Sequence, residues 1–270
     1  MTASSHVDKS AVHLRIGTQD LTIEVAWVGP RATGADRPLL VFLHEGLGSV
    51  AMWKDFPARL CEAIGHRGLV YSRPGYGRST PRAAGEAWGL DFMHRQAEDV
   101  LPALLAALEV RAPYVLFGHS DGGSIALIHA AMFPTRVAAA IVLAPHILVE
   151  EFGLASIREA RTAYQSGDLR GRLARYHNDV DSAFHGWNDI WLHPDFPRWT
   201  IEALLPGIAC PVLAIQGEDD PYGTMSQIDG IAARVRDTHL VKLPQCGHSP
   251  HRDQADAVIH RVREFLAGIE

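Results

Sequence analysis

The chain has 270 residues, of which 47% are hydrophobic, and its net charge is −6. This composition supports a sizeable core, and the absence of a basic stripe argues against nucleic acid as a partner. Three widely separated cysteines argue against a disulfide framework. Because residues 1–10 are polar and no apolar run reaches membrane-spanning length, we expect a cytoplasmic protein with no membrane partner. The sequence leaves a homo-oligomer open.

The order of apolar and polar residues predicts strands that alternate with helices. Continuous apolar runs are typical of strands buried on both faces, and two alternating segments near the N-terminus predict an antiparallel hairpin at a sheet edge. We therefore predict an α/β fold with a mostly parallel central sheet and helices on both faces. The predicted strands are 11–16, 21–28, 39–43, 68–71, 113–116, 139–144, 211–216 and 240–243, and the predicted helices are 53–64, 91–108, 124–131 and 254–266.

Residues 146–206 interrupt this alternation between two predicted strands. Their pattern predicts mostly helices and loops, and they include Trp187 and Trp191. Ligands of such folds bind at the carboxyl ends of the strands, so we expect this insertion to be a lid over that edge. The predicted core then consists of residues 1–145 and 207–270.

The turn after the fifth predicted strand has the sequence Gly118-His119-Ser120-Asp121-Gly122, which matches the G-x-S-x-G nucleophile elbow. Because glycine lacks a β-carbon, Gly118 and Gly122 allow strand and helix to approach closely around a strained turn. Ser120 then projects at the carboxyl edge of the sheet, where the following helix N-terminus favours developing negative charge. Ser120 is therefore the candidate nucleophile.

A serine hydroxyl needs an adjacent base, usually histidine, and that base needs an acid to fix its tautomer. His248 follows the last predicted strand and precedes the last helix, so it lies on a loop at the same sheet edge. Glu218, Asp219 and Asp220 follow the strand predicted at 211–216 and provide three candidate acids. The chain order of the candidate groups is then serine, acid, histidine.

These motifs resemble those of the α/β-hydrolase fold family, and the resemblance covers nearly the whole chain, with residues 146–206 the least similar part. In that family the acid usually stands three residues after the glycine that ends its strand. The resemblance therefore implies Asp220 as the triad acid, with Asp219 as the alternative.

The resemblance extends to two further loops. Residues 44–49 match the family's His-Gly-x-x-Gly-Ser loop, which implies an oxyanion hole built from the backbone N–H groups of Gly46 and Asp121. The family's histidine at the position of His44 more often supports this loop by hydrogen bonding than takes part in chemistry. Residues 73–79 match the Arg-Gly-x-Gly-x-Ser loop, with proline in place of the first glycine.

Glu45 departs from the family pattern, which usually has glycine at this position. Glu45 adds a carboxyl beside a proposed oxyanion donor, and Asp121 adds a second one beside Ser120. Two explanations are open. Burial and like charge could keep one carboxyl protonated, so that it tunes the site. Alternatively, Glu45 is a structural strut that pairs with an arginine such as Arg73 or Arg78.

Four side chains are candidates for the substrate pocket: His119, His146, Trp187 and Trp191. For the tryptophans, ordinary packing within the insertion is the alternative. The histidines of the insertion fit none of the short metal-ligand spacings, so no metal site is expected.

The predicted chemistry is hydrolysis without a cofactor. Ser120 would attack a carbonyl carbon of a small-molecule acyl substrate, and His248 would move the proton. Small carboxylic esters and lactones are the expected substrates. One alternative is hydrolysis of a carbon–carbon bond in a ring-cleavage product, although His119 and Ser249 stand where those relatives typically carry Asn and Trp. The other is a non-catalytic ligand receptor on the same scaffold.

Overall fold

The computed structural model describes residues 8–30, 37–83, 85–110 and 113–269, so most of the polar N-terminal segment lies outside the described residues. Its strands are β1 (Asp8–Ile16), β2 (Gln19–Val28), β3 (Leu40–Leu43), β4 (Gly68–Tyr71), β5 (Tyr114–His119), β6 (Val137–Leu143), β7 (Val212–Gly217) and β8 (Thr238–Leu243). Its α-helices are α1 (Phe56–Ile64), α2 (Phe92–Arg95), α3 (Leu101–Ala107), α4 (Asp121–Met132), α5 (Glu151–Ser166), α6 (Leu169–Leu173), α7 (Val180–Trp191), α8 (Ser226–Ala232), α9 (Pro250–Asp253) and α10 (Ala255–Ala267).

The described strands form an eight-stranded sheet in the order β1-β2-β4-β3-β5-β6-β7-β8. β2 is antiparallel to both β1 and β4, and the remaining neighbours are parallel. The predicted α/β class and the edge hairpin are therefore confirmed. Because β3, β5, β7 and β8 run in the same direction, the loops that follow them meet at one edge of the sheet.

Helices cover both faces of the sheet. Every residue of β3, β5 and β7 is buried, as their apolar runs predict. Among the described residues, one apolar cluster includes side chains of α3 and α4, and another includes side chains of α1 and α10. The strand ends that carry the predicted functional residues are thus fixed by a packed core.

Some helices differ from the sequence prediction. α1 begins at Phe56, later than predicted, because a 3-10 turn over Val50–Trp53 precedes it. The helix predicted over 91–108 contains a π-helical turn at Gln96–Val100, shortly before Pro102. Proline has no N–H for the regular helical hydrogen bond, which accounts for the irregularity at this point. The sequence pattern also does not predict the short helices α8 and α9.

Residues 146–206 lie between β6 and β7 and contain α5, α6 and α7, so their helical content is as predicted. A backbone bridge between Leu148 and Thr200 joins the two ends of this segment. Its function as a lid remains a prediction. None of the helices, in this segment or in the other described ranges, is long and apolar enough to cross a bilayer.

Candidate active site

The turn between β5 and α4 places Ser120 at the carboxyl edge of the sheet. Ser120 has φ 52° and ψ −121°, and residues other than glycine rarely adopt a positive φ. A β-carbon on Gly118 would overlap the backbone of Gly122, and one on Gly122 would overlap the carbonyl groups of Leu43 and His44. Only glycine at these two positions lets the turn close, so the motif holds Ser120 in a strained position at the start of α4.

His248 connects Ser120 to Asp220. Its Nε2 lies 2.9 Å from the Ser120 Oγ, and its Nδ1 lies 2.9 Å from both carboxylate oxygens of Asp220. When Nδ1–H donates to the carboxylate, Nε2 is free to accept the serine hydroxyl hydrogen. The structure thus brings the predicted serine, acid and histidine within hydrogen-bond distance. Asp219, the alternative acid, is exposed, and its backbone N–H donates to Cys246.

The buried carboxyl of Asp220 is held in its ionised form. Burial alone would raise its pKa, but hydrogen bonds from His248 and from the backbone N–H of Tyr222 outweigh burial and lower the pKa below its usual range. A β-carbon on Gly217 would overlap the backbone carbonyl groups of Cys246 and Gly247, which belong to the loop that carries His248 (the histidine loop). Glycine at the end of β7 therefore allows the acid loop and the histidine loop to approach each other.

Gly46 and Asp121 lie beside Ser120 in the wall of one cavity. Within the part of the chain that the structure describes, neither backbone N–H has a hydrogen-bond acceptor. Position 46 has no room for a side chain, because the Trp187 ring occupies the place of a β-carbon. Both N–H groups are thus free to donate to a bound molecule.

The cavity has a volume of about 210 Å³ and lies between Ser120 and the 146–206 segment. The four predicted pocket residues, His119, His146, Trp187 and Trp191, all line it. The sequence analysis did not single out Leu47, Ile157, Tyr222 and Arg252, which also line it. Three of these follow a predicted site residue within four positions, and that proximity is the signal that could have identified them. Ile157, on α5, carries no such signal.

Two buried histidines flank His248. His146 has its ring 4.9 Å from Trp191 and 5.9 Å from His248, and desolvation together with the charge of His248 lowers its pKa to about 3. It is therefore a neutral part of the wall. His119 donates from Nε2 to the backbone carbonyl of His248 at 2.6 Å, and its ring packs between those of His248 and His251. His119 thus holds the backbone of the histidine loop.

The Glu45 carboxylate links the loop after β3, residues 44–49, to the segment that follows His248. It lies 3.4 Å from Nη2 of Arg252 and 3.6 Å from Nδ1 of His119. Burial opposes its ionisation, but His119 and Arg252 outweigh burial and hold the pKa of Glu45 well below its usual range. An arginine pairs with Glu45, as the strut hypothesis expects, but it is Arg252 and neither of the two examples, Arg73 and Arg78. Arg73 donates to the backbone carbonyl of Glu45, and Arg78 bonds another carboxylate through its backbone N–H.

We expect Glu45→Gln to reduce stability and to leave the shape of the pH–turnover profile unchanged. A carboxylate whose pKa is lowered by folding stabilises the protein above its unfolded pKa and loses that contribution as pH falls through the folded pKa. The variant should lose about 1–2 kcal/mol of unfolding free energy at pH 7. The difference in unfolding free energy between wild type and Glu45→Gln should shrink as the pH falls below about 4. Urea unfolding across this range measures it.

The matched control for this prediction is Glu62→Gln, because Glu62 is an exposed acid on α1. Its unfolding free energy should stay within about 0.5 kcal/mol of the wild type. If Glu45→Gln has wild-type stability but an altered pH dependence of turnover, the structural role of Glu45 is contradicted. That result would favour the alternative, in which the Glu45 carboxyl tunes the chemistry of the site.

The second carboxyl, that of Asp121, is fully buried. Its Oδ1 accepts a hydrogen bond from Nε1 of Trp191 at 3.2 Å. Its Oδ2 lies 3.8 Å from Nη2 of Arg73 and has no hydrogen-bond partner among the described residues. Burial raises the pKa of Asp121 to about 6, although Arg73 and Trp191 act in the opposite direction. Of the two carboxyls that flank the site, Asp121 is therefore the one whose pKa is raised toward neutral pH.

The three cysteines are free thiols and are buried. Burial raises the pKa of Cys210 and of Cys246 to about 11, so both thiols are protonated near neutral pH. In the described ranges, no group of three histidine, cysteine, aspartate or glutamate side chains is arranged to hold a metal ion.

Comparisons with known proteins give matches to hydrolases. A family model described as "Alpha/beta hydrolase family" matches residues 40–261. The serine hydrolase BPHL of Mus musculus is 31% identical over 205 residues, which are 74% of this chain and 67% of that protein. The putative carbamate hydrolase RutD of Variovorax paradoxus (strain S110) is 28% identical over 251 residues, which are 85% of this chain and 92% of that protein. Among solved structures, an esterase from Thermogutta terrifontis is similar with a TM-score of 0.71 at 19% identity, over 97% of this chain and 99% of that one.

Proposed function

This chain belongs to the alpha/beta hydrolase family, and on that premise we propose that it is a serine hydrolase that cleaves a small carboxylic ester or lactone through an acyl-enzyme intermediate. The observation that carries the proposal is the hydrogen-bonded series from Ser120 through His248 to Asp220, with both links at 2.9 Å. Its serine hydrolase relatives support hydrolase activity on a small substrate.

In the proposed mechanism, the Ser120 Oγ attacks the substrate carbonyl carbon while its proton moves to Nε2 of His248. Asp220 stabilises the resulting imidazolium, and the N–H groups of Gly46 and Asp121 donate to the oxyanion of the tetrahedral intermediate. His248 then gives the proton to the leaving oxygen as the ester bond breaks. A water molecule activated by His248 attacks the acyl-enzyme in the same way and releases the acid.

The size and walls of the cavity support a small acyl group. Its volume of about 210 Å³ is below the roughly 300–1,000 Å³ of pockets that hold drug-sized ligands. Ile157, Trp187 and Trp191 contribute apolar walls to the cavity that Ser120 also lines. A short aliphatic or small cyclic acyl group fits this space, whereas a long acyl chain does not.

A substrate screen with Ser120→Ala as the blank tests the proposal. The screen contains esters, lactones, thioesters, carbamates and vinylogous diketones. We expect many turnovers per enzyme on small esters or lactones, with release of the free acid and no activity in the blank. Turnover of the diketones alone would instead support carbon–carbon bond hydrolysis. Stoichiometric binding without turnover would support a ligand receptor.

We also propose that residues 146–206 form a lid that selects the acyl group. The supporting observation is that α5 and α7 of this segment contribute Ile157, Trp187 and Trp191 to the wall of the cavity that contains Ser120. Specificity would then depend on side chains outside the sheet, and substitutions in this wall would change substrate preference more than fold.

Trp187→Phe should shift acyl preference toward longer chains. Phenylalanine is smaller than tryptophan and leaves space next to Gly46, where the indole ring now packs. We expect the ratio of kcat/KM for p-nitrophenyl hexanoate to that for the acetate to rise about 10-fold. Trp199→Phe is the control, since Trp199 is buried in the same segment and does not line the cavity. Equal ratios in wild type and Trp187→Phe would contradict selection by this wall.

A further inference from the structure

The Arg73 side chain is a fully buried cation with few direct partners. Its Nη2 donates to the backbone carbonyl of Glu45 at 2.9 Å, and the carboxylate oxygen that it faces, Oδ2 of Asp121, is 3.8 Å away. Nε and Nη1 have no hydrogen-bond partner among the described residues. The guanidinium carbon lies 4.7 Å from the centre of the Tyr76 ring, but no carboxylate among the described residues is within hydrogen-bond distance of the guanidinium. The charge of this buried cation is therefore only partly compensated, which is costly for stability.

His44 and Arg73 both donate to one carbonyl group, which also accepts the backbone N–H of Gly48 at 3.0 Å. The Glu45 carbonyl oxygen also accepts a hydrogen bond from Nδ1 of His44 at 2.7 Å. Nε2 of His44 accepts the backbone N–H of Arg73 at 2.9 Å, so His44 is a neutral imidazole with its hydrogen on Nδ1. Burial first, and then the Arg73 charge, keep the pKa of His44 well below its usual range. The three residues form a closed ring of hydrogen bonds.

This ring fixes the direction of a proposed oxyanion donor. The Glu45 carbonyl and the Gly46 N–H belong to one planar peptide group, and in a trans peptide the two bonds point in opposite directions. Holding the carbonyl oxygen on Arg73 and His44 therefore directs the Gly46 N–H away from them, and Gly46 lies in the cavity wall beside Ser120. Hydrogen bonds to the carbonyl also polarise the peptide, which strengthens its N–H as a donor.

The same guanidinium acts on the second proposed donor. Asp121 supplies the other N–H, and its own carboxyl would oppose an oxyanion if it were ionised without a counter-charge. Arg73 faces that carboxyl, and no described group hydrogen-bonds the Oδ2 atom on this side. One buried cation thus contacts the peptide group that carries the Gly46 N–H and faces the carboxyl of Asp121, which carries the other N–H.

We propose that Arg73 is a positioning residue of the oxyanion hole, which aligns and polarises the Glu45–Gly46 peptide and offsets the charge of Asp121. This inference rests on the proposed function, since it presumes an oxyanion at Ser120. It predicts that loss of Arg73 weakens binding of the transition state more than binding of the substrate.

The test compares Arg73→Met and Arg73→Lys with Arg78→Met, which removes the same charge from an exposed position on the same loop. For Arg73→Met we expect kcat to fall about 10²-fold, with KM within about 2-fold of the wild type. A trifluoromethyl ketone forms an oxyanion adduct with the serine, so its affinity should fall by the same factor as kcat/KM. Arg73→Lys should recover part of both losses, and Arg78→Met should match the wild type in both.

The outcomes separate this inference from the proposed function. A wild type that neither turns over esters nor binds the ketone at Ser120 would overturn the proposed function. An active wild type together with an Arg73 variant that keeps its kcat and ketone affinity would overturn only the role of Arg73. If Arg73→Met does not fold, Arg73→Lys decides alone: kcat and ketone affinity that fall together at constant KM support the inference. Losses that appear in KM alone overturn it.

Discussion

Ser120→Ala is expected to lower kcat for the best ester or lactone substrate by about 10⁶-fold. Without the Oγ atom no acyl-enzyme can form, and water would have to attack the substrate directly. The fold should survive, because alanine can occupy the same backbone position as serine and the change removes only the 2.9 Å hydrogen bond to His248. Steady-state product release and thermal unfolding of the same preparation measure the two effects.

Ser124→Ala is the matched control for this loss of activity. Ser124 is also buried on α4, but its hydroxyl donates to the backbone carbonyl of His146 and touches no reacting atom. We expect this variant to lose about 1–3 kcal/mol of unfolding free energy and to keep kcat within about 10-fold of the wild type. A Ser120→Ala enzyme that retains more than a few per cent of wild-type kcat would exclude Ser120 as the nucleophile.

Asp220→Asn is expected to lower kcat by about 10⁴-fold. The asparagine amide can donate to Nδ1 of His248, which moves the ring hydrogen to Nε2, and Nε2 can then no longer accept the Ser120 proton. Asparagine also cannot stabilise the imidazolium that forms during the reaction. The measurement is kcat at several pH values, since the loss should persist across the range in which the wild type is active.

Asp219→Asn is the control, because Asp219 is exposed one residue earlier on the same loop. It should retain wild-type kcat. If Asp219→Asn showed the large loss and Asp220→Asn did not, the acid would be Asp219 and the hydrogen bonds between Asp220 and His248 would be structural.

The parts of the site that were predictable from sequence are those encoded in short motifs at strand ends. Ser120 and its glycines lie in one turn, and a parallel sheet brings the loops that carry Asp220 and His248 to the same edge, so their order along the chain was enough to group them. The oxyanion role of residues 44–49 rests on their resemblance to the family's His-Gly-x-x-Gly-Ser loop, and it stays a prediction.

The less predictable parts depend on tertiary packing. Ile157 lines the cavity only because of how α5 packs, and no local pattern indicates this. The charge partner of Glu45 is Arg252, which lies on α9, a helix of four residues that periodicity cannot detect. The loop motif offered Arg73 instead, but its guanidinium binds the Glu45 backbone.

The pKa values of the two carboxyls that flank the site also depend on tertiary packing. The sequence predicts that Glu45 and Asp121 lie beside the site. It cannot show which of the two carboxyls has a raised pKa, because burial and nearby charges determine the pKa. Asp121 is fully buried and faces Arg73 only at 3.8 Å, so burial prevails. Arg252 lies closer to the Glu45 carboxylate, at 3.4 Å, and together with His119 it outweighs burial, so ionisation prevails.

The mass of the enzyme during turnover tests the proposed acyl-enzyme most directly. The enzyme is mixed with a small p-nitrophenyl ester, quenched in acid within one turnover and analysed by intact-protein and peptide mass spectrometry. We expect a mass increase equal to one acyl group, located on the peptide that contains Ser120 and absent from Ser120→Ala. A burst of p-nitrophenol with no acylated protein, or an acyl group on another residue, would contradict the proposed mechanism.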